Sequence, residues 1–284
     1  MPDRLDLDHL RTWVGRTEQA EDQISPQMVR GLRATLDQDP GVPSCGEPAP
    51  LGIHWCLAPP VVRMSCLGPD GHPARGGFLP PVPLPRRMWA GGELRLLDRL
   101  QVGDRVERLS RIESVEMKSG RTGPLCFVAV WHELRTSRGP AVLERHDIVY
   151  RGADQPPAAA NLPDDDPLPA EVTRQVESSP VLLFRYSALT FNGHRIHYDH
   201  RYCQEVEGYL GLVVHGPLQA TLLLNLAMDM NKGAPPTLFR FRSVRPLFDG
   251  AAFTINGRRG GDRLDLWTAD GMGYGTMKAT AWTG

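Results

Sequence analysis

The most apolar stretch of the chain, residues 218–230, carries hydrophobic side chains on nearly every face of the helix that it would form. A helix that is apolar all round packs inside a protein. His215-Gly216-Pro217 comes directly before this stretch, and a proline in the first helical turn loses no hydrogen bond that the helix needs. The pattern therefore predicts a buried helix that begins at this tripeptide.

A polar segment precedes the predicted buried helix. Asn192 and His197 lie five residues apart and are separated by Gly193 and by polar side chains, a composition typical of loops. The free N–H groups at the start of a helix favour negative charge. The sequence therefore predicts a histidine-containing loop that is followed by a helix N-terminus, where a partly negative ligand group would be stabilised.

Most other apolar patterns predict strands. In the N-terminal half we expect strands within residues 94–150, with turns at 102–104 and 119–123 and buried strands at 125–131 and 141–150. In the C-terminal half the predicted strands cover residues 181–184, 238–244, 252–256, 264–268 and 276–282, with a hairpin turn at Asp270-Gly271. Two helices are expected near the N-terminus, one within residues 6–14 that buries Leu10, Trp13 and Val14, and one capped by Ser25.

Composition sets the domain organisation. The 284 residues, 41% of them hydrophobic, suffice for one large domain or two small ones. Residues 153–169 are rich in proline, alanine and aspartate and include an acidic run at 164–166, which predicts an exposed linker. We therefore divide the chain into an N-terminal half (1–152), a linker (153–170) and a C-terminal half (171–284).

Charge and cysteine content narrow the class of protein. The net charge of −1 gives no argument for nucleic acid or an anionic membrane surface as a partner. We find neither a secretory signal nor an apolar run of membrane-spanning length. Five cysteines without a paired Cys-x-x-Cys spacing favour a reduced, cytoplasmic protein.

The proline- and glycine-rich residues 40–92 allow two interpretations. They form either an ordered loop around the core or a wall over a ligand groove, with Arg86, Arg87 and Trp89 facing the ligand. The cysteines and histidines at 45, 54, 56, 66 and 72 match no compact zinc-site spacing, so no metal site is predicted. His132 and His146 lie in predicted strands, where a cross-strand hydrogen bond is the expected role.

Residues 190–199, Thr-Phe-Asn-Gly-His-Arg-Ile-His-Tyr-Asp, resemble the hydratase signature of the MaoC-like hot-dog enzymes. In that signature an aspartate is followed five residues later by a histidine. Together with residues 212–218, Leu-Val-Val-His-Gly-Pro-Leu, the motif is similar to the hydroxyacyl-thioester dehydratase type 2 branch, which includes itaconyl-CoA and mesaconyl-C4-CoA hydratases. The resemblance implies an α+β double hot-dog fold, with two curled antiparallel sheets, each around a central helix, and a degenerate first half.

The resemblance also implies a hydro-lyase. The expected reaction is reversible hydration of an enoyl-CoA thioester, with itaconyl-CoA or mesaconyl-C4-CoA giving citramalyl-CoA, as in itaconate degradation. A fatty-acid type 3-hydroxyacyl-thioester dehydratase and a catalytically silent acyl-CoA-binding protein are the alternatives. An acyl-CoA is the expected partner, coenzyme A enters only as part of the substrate, and no other cofactor is required. Two alternatives stay open for the oligomeric state: a homodimer or higher oligomer, and a single chain whose two halves pair with each other.

The resemblance assigns roles to individual residues. His197 is the expected proton carrier, since an imidazole titrates near neutral pH, and the Gly216 N–H is the expected donor to the enolate. Asn192 stands where the family has an aspartate, and an amide orients a water but is not a general base. His194, Arg195, His215 and Trp89 are the predicted substrate-binding residues.

Purely structural roles are the alternative for several of these residues. Asn192 would otherwise be a turn residue and His197 a buried, hydrogen-bonded histidine. For Asp199 we favour a helix cap over catalysis. Among the arginines at 195, 201, 240, 242 and 245 we expect at least one to meet a phosphate or carboxylate of the ligand.

Overall fold

The computed structural model describes residues 6–120, 123–152 and 169–283. The strands are β1 (Thr17–Gln23), β2 (Arg86–Leu96), β3 (Arg105–Gly120), β4 (Gly123–Thr136), β5 (Gly139–Arg151), β6 (Val172–Val176), β7 (Leu238–Ser243), β8 (Phe253–Gly260), β9 (Arg263–Ala269) and β10 (Gly275–Trp282). The α-helices are α1 (Leu7–Arg11), α2 (Pro26–Thr35), α3 (Pro180–Leu189), α4 (His200–Glu205) and α5 (Gly216–Met230). Short 3-10 turns cover Ile53–Cys56, Met64–Cys66 and Arg195–His197.

All ten strands belong to one antiparallel sheet with the order β1-β3-β4-β5-β2-β7-β10-β9-β8-β6. The first five strands in this order come from the N-terminal half and the last five from the C-terminal half. The halves meet where β2 pairs with β7, with Gly91 opposite Arg242 and Leu94 opposite Phe239. One hydrophobic core also contains residues of both halves, so the two parts of the chain share sheet and core.

Helix α5 begins at Gly216, as predicted, and packs on β7 to β10. Leu218, Leu223 and Leu226 are fully buried. Its three buried polar side chains have partners: Gln219 accepts hydrogen bonds from two threonine hydroxyls at 2.8 and 2.9 Å, the Thr221 hydroxyl donates to the Pro217 carbonyl at 2.8 Å, and Asn225 donates to the Leu51 carbonyl at 3.1 Å. A helix with no free polar group is stable inside the core.

The N-terminal half is covered by α2 and by the extended segment before β2. Ser25 caps α2 as predicted, since its hydroxyl accepts from the Met28 N–H at 3.1 Å, and α2 contacts α3. Val82 and Leu84 are buried in a second hydrophobic cluster against β3, β4 and β5. This part of the 40–92 region therefore wraps the core.

Two sequence predictions need correction. Residues 181–184, predicted as a strand, lie in α3, because the Ser179 hydroxyl accepts from the Leu182 N–H at 3.2 Å and Pro180 occupies the first turn. A short apolar run does not distinguish a strand from a helix by periodicity. Val14, predicted to be buried, is 44% exposed, because α1 ends at Arg11.

The predicted division into halves and linker stays a prediction, because residues 153–168 lie outside the described residues. Within the described part of the chain, no helix has the length and apolar character needed to span a membrane. All five cysteines are free thiols.

Candidate active site

A cavity of about 1740 Å³ is lined by residues from both halves of the chain. Its walls include Trp89 on β2 together with Asn192, His197 and Gly216, so the three predicted catalytic residues face the same space. Pockets for small ligands commonly measure about 300–1,000 Å³. This cavity therefore has room for an extended ligand.

The loop after α3 is shaped by Asn192. Phe191 takes a left-handed backbone conformation with φ +49°, which turns the chain out of the helix. The Asn192 N–H then donates to the Ser187 carbonyl at 2.8 Å, and its side-chain oxygen accepts from the His194 N–H at 3.0 Å. Since the oxygen closes the turn, the NH₂ group of Asn192 is the part of the amide best placed to bind a ligand.

The His197 ring is held in one orientation. Its Nδ1–H donates to the Val213 carbonyl at 2.6 Å, while the Val213 N–H donates to the Ile196 carbonyl at 2.9 Å. A neutral imidazole with a proton on Nδ1 carries its lone pair on Nε2. Nε2 of His197 is therefore the nitrogen available to take a proton.

His215 supports His197 from behind. The two rings stack with centroids 3.6 Å apart and an angle of 18° between their planes. His215 Nε2 lies 2.8 Å from the Ser187 hydroxyl, and the residue is fully buried. His215 is not among the residues that line the cavity, so we correct its predicted substrate-binding role to that of a support for the His197 ring.

Burial keeps these imidazoles neutral. It lowers the pKa of His197 to about 4, against the hydrogen bond to Val213, which raises the pKa. Burial also lowers the pKa values of His194 and His215 well below the usual range. A neutral His197 is the form that acts as a base at neutral pH.

Gly216 stands at the first turn of α5, beside Trp89. The first N–H groups of a helix have no partner within the helix, and their dipoles stabilise negative charge. A Cβ atom at Gly216 would lie only 3.2 Å from Cε3 of Trp89. The absence of a side chain therefore keeps the approach to this N–H open, and Trp89 forms its wall.

His194 belongs to a group that we call the carboxylate–imidazole cluster, formed by Asp70, His72 and His194. His72 Nδ1 lies 3.1 Å from the Asp70 carboxylate, and the His72 and His194 ring centroids are 4.1 Å apart. Burial acts to raise the pKa of Asp70, but the hydrogen bonds and charge of His72, together with the charge of Arg87, lower the pKa to about 2. The cluster brings an ionised carboxylate from the N-terminal half to residues 190–199, which we call the motif loop.

The residue Gly71 lets this segment approach the motif. Its φ is +87°, and a Cβ there would lie only 2.0 Å from the Gly193 carbonyl oxygen. The Asp70 carbonyl accepts from the Arg195 N–H at 2.9 Å. The two segments are thus fixed to each other by backbone contacts.

The ligand atoms of the cluster also lie within 4.8 Å of one another, a spacing that a metal ion could bridge. The Asp70 carboxylate, however, already accepts hydrogen bonds from the backbone and ring of His72. A hydrogen-bonded carboxylate needs no cation for its charge. The residues therefore fit a hydrogen-bonding network at least as well as a metal site.

Arg195 does not line the cavity. Its guanidinium pairs with Asp199 at 2.7 Å, donates to the Pro69 carbonyl at 3.1 Å and lies over the Tyr202 ring. We therefore correct its predicted role from substrate binding to fixing the motif loop. Asp199 also accepts from the Tyr202 N–H at 3.0 Å as the N-cap of α4, which confirms the predicted cap.

Two other arginines that were predicted candidates for the ligand form ion pairs instead. Arg201 pairs with Glu205 at 2.8 Å, and Arg240 pairs with Glu93 at 2.6 Å. The cavity is lined instead by the arginines at 75, 87, 108, 151, 242 and 245. Positions 242 and 245 were among the predicted candidates, and Arg87 was predicted to face the ligand.

Sequence reasoning missed several residues of the site. Asp70 and His72 lie more than a hundred positions before the motif, and no local pattern connects them to it. On the inner face of the N-terminal strands, Glu144 was also missed, although it interrupts an alternating apolar pattern in β5. A polar residue at a buried position of a strand was the available signal.

Comparisons with known proteins extend these observations. The family model described as hydroxyacyl-thioester dehydratase type 2 matches residues 52–249. Mesaconyl-C(4)-CoA hydratase of Chloroflexus aurantiacus is 45% identical over 268 residues, covering 94% of this chain and 95% of that protein. The mitochondrial hydroxyacyl-thioester dehydratase type 2 of Saccharomyces cerevisiae is 21% identical over 255 residues, covering 86% of this chain and 88% of that protein.

Two solved structures from Mycobacterium tuberculosis share the fold. HtdX has a TM-score of 0.67 at 19% identity and covers 93% of this chain and 98% of its own. A double-hotdog protein has a TM-score of 0.55 at 14% identity and covers 95% of this chain and 96% of its own. These matches confirm the predicted α+β double hot-dog fold.

The continuous antiparallel sheet with its buried helix α5, together with the matched family model, defines the class of MaoC-like hot-dog hydratases and dehydratases. Within that class, the chain belongs to the hydroxyacyl-thioester dehydratase type 2 family. The predicted family resemblance and the prediction of a hydro-lyase are thereby confirmed.

Proposed function

We propose that this protein catalyses the reversible addition of water to mesaconyl-C4-CoA, which gives citramalyl-CoA. The geometry of His197 carries the proposal: one ring nitrogen is fixed on the Val213 carbonyl, and the other is left as a base in a cavity that begins at the N-terminus of α5. The identity of 45% over 94% of the chain to a mesaconyl-C(4)-CoA hydratase supports this substrate.

The proton balance follows from two groups. His197 Nε2 takes a proton from water while the hydroxyl adds to the β-carbon, and the Gly216 N–H stabilises the enolate oxygen that forms on the thioester. The protonated His197 then returns its proton to the α-carbon. Asn192 donates through its NH₂ group and holds the water or the acyl group in place.

The position of the double bond favours mesaconyl-C4-CoA over itaconyl-CoA. In mesaconyl-C4-CoA the double bond is conjugated with the thioester, so attack at the β-carbon leads directly to the enolate. In itaconyl-CoA the double bond lies one carbon further away, and addition of water does not place charge on the thioester oxygen. We therefore rank itaconyl-CoA, and with it a role in itaconate degradation, second.

The remaining expectations stay with this proposal. The proton carrier and the enolate donor come from the chain itself, so we propose that no metal or other cofactor takes part and that coenzyme A enters only as part of the substrate. A homodimer and a cytoplasmic location are also proposed. The mass of the protein in solution and cell fractionation test them, and five free thiols are consistent with a reducing compartment.

The test is mass-spectrometric detection of water addition to mesaconyl-C4-CoA, itaconyl-CoA, crotonyl-CoA and a medium-chain enoyl-CoA. We expect turnover of mesaconyl-C4-CoA, reduced by roughly 10²–10⁴-fold in His197→Ala because a general base is lost. His200→Ala, an exposed histidine on α4, is the matched control and keeps full activity.

Each other outcome has a meaning. A preference for the medium-chain ester would make the protein a fatty-acid type dehydratase. Turnover that His197→Ala leaves intact would refute the assigned base. Tight binding of the esters without turnover of any of them would make the protein a silent acyl-CoA-binding member of the family.

A further inference from the structure

Polar side chains interrupt the apolar inner face of the N-terminal sheet. Ser110 on β3, His132 on β4 and Glu144 on β5 lie directly opposite one another across three neighbouring strands. His146 follows two positions after Glu144 and therefore points to the same face. We call the group Ser110, His132, Glu144 and His146, together with His54 from the 3-10 turn, the polar patch.

The surroundings of the patch are those of a core. Val130 and Leu134 on β4 are each 1% exposed, and Leu94, which pairs with Glu144 from β2, is 0% exposed. Placing polar groups in such a wall costs free energy unless they have partners. A polar patch in an apolar wall therefore needs a reason that core packing does not supply.

Hydrogen bonds within the protein satisfy only part of the patch. His132 Nδ1 pairs with the Ser110 hydroxyl at 2.7 Å, and Glu144 accepts from Trp55 Nε1 at 2.9 Å. His54 Nε2 is buried and lies 3.9 Å from a Glu144 carboxylate oxygen, without a hydrogen bond, in a residue that is only 4% exposed. A buried ring nitrogen without a hydrogen bond in a cavity wall indicates a place where a ligand completes the hydrogen bonds.

Positive charge lies next to the patch. Arg87 pairs with Tyr150 in the strand register, and Tyr150 shares its face of β5 with His146. Burial lowers the pKa values of both His146 and His72, and the guanidinium of Arg87 lowers them further. Arg87 therefore lies between the polar patch and the carboxylate–imidazole cluster, whose Asp70 is already hydrogen-bonded to His72.

Trp89 connects the patch to the reacting centre. One side of its ring lies against Gly216, and its centroid is 5.3 Å from that of His146. An acyl group held by its thioester at the Gly216 N–H therefore reaches the patch within the length of one aromatic side chain. A four-carbon diacid has that length.

We propose that Arg87 and His146, backed by the rest of the polar patch, bind the distal carboxylate of a short dicarboxylic acyl-CoA. The proposal rests on the proposed hydratase function only for the identity of the ester. Arg87 supplies a planar pair of donors that matches a carboxylate, and His146 supplies a ring N–H. Residues of the N-terminal half thus select the acyl group, and residues of the C-terminal half carry out the addition.

The test measures binding without turnover. Isothermal titration gives the Kd of succinyl-CoA, a saturated four-carbon diacid ester, and of butyryl-CoA, its monocarboxylic counterpart, so that the coenzyme A contribution cancels in the ratio. We expect the wild type to bind succinyl-CoA about 10- to 100-fold more tightly, the range for hydrogen bonds to a charged group. Arg87→Met and His146→Phe each reduce this ratio by about tenfold or more.

Arg95→Met, an exposed arginine at the far end of β2, is the matched control and keeps the wild-type ratio. Equal affinities for the two esters in the wild type, or an unchanged ratio in both variants, would overturn the proposal. Selective binding by a protein that hydrates no enoyl-CoA would refute the proposed reaction and leave the carboxylate site in place. Hydration of an enoyl-CoA without selective binding of succinyl-CoA would support the proposed reaction and refute the carboxylate site.

Discussion

Replacing Glu144 with glutamine removes an ionisable group from the polar patch. Glu144 is 5% exposed, and its Oε1 atom accepts from Trp55 Nε1 at 2.9 Å. Glutamine keeps an oxygen for that hydrogen bond and has nearly the same volume. The substitution therefore changes charge with little change in packing.

Burial raises the pKa of Glu144 from its ordinary value of 4.5 to about 7, against the Trp55 hydrogen bond and the charge of Arg108, which lower it. The folded protein thus binds this proton more tightly than the unfolded chain does, so the stability falls as the pH rises from about 4.5 to about 7. Above that range the ionised carboxylate costs roughly 3 kcal/mol. At pH 5 the cost is below about 1 kcal/mol.

Urea or thermal unfolding of wild type and Glu144→Gln at pH 5 and pH 8 tests this. We expect similar stabilities at pH 5 and a more stable variant at pH 8, with a higher melting temperature on the order of 5–10 °C. Glu116→Gln, an exposed carboxylate on β3, is the control and shows no such difference. A Glu144→Gln variant that is equally stable or less stable than wild type at both pH values would refute the reasoning.

Two further predictions concern the catalytic end of the cavity. Asn192→Asp adds a negative charge beside the reacting carbon, so we expect the preference for succinyl-CoA over butyryl-CoA to fall by about tenfold. Asn231→Asp, at the C-terminal end of α5, is the control and keeps the preference. An unchanged preference in Asn192→Asp would show that the distal carboxylate does not bind near residue 192. Dialysis against a chelator is expected to leave the hydration rate unchanged, because hydrogen bonds from His72 already satisfy the Asp70 carboxylate. A loss of activity that added zinc restores would contradict this.

The sequence predicted the C-terminal half well because its signals are local. The apolar helix α5 and the alternating strand β7 follow from periodicity alone, and the cap at Asp199 follows from residue type and position. The motif loop and the start of α5 bring Asn192, His197 and Gly216 to one cavity, as expected. The error at residues 181–184 arose where a short apolar run fits two periodicities and a Ser-Pro helix start decides between them.

The contribution of the N-terminal half was hidden for a different reason. Asp70 reaches the motif through backbone contacts between Gly71 and Gly193, which depend on tertiary structure. The opposition of Ser110, His132 and Glu144 depends on strand register, which a single strand does not reveal. His132 was assigned a cross-strand partner, and its bond to Ser110 has that form, but the pattern did not show that the pair faces a ligand cavity.

The departure from the family motif at Asn192 agrees with a dicarboxylic substrate on electrostatic grounds. In a mesaconyl group the distal carboxylate is attached to the same carbon that receives the hydroxyl, so a residue that holds the attacking water lies close to that carboxylate. An aspartate at position 192 would add a second negative charge next to the carboxylate of the substrate, and like charges close together destabilise one another. An asparagine has the same shape without the charge, and its NH₂ group adds a donor that an ionised aspartate lacks. In the proposed mechanism the base is His197, whose ring is fixed by Val213, so that mechanism does not need the carboxylate of the broader family.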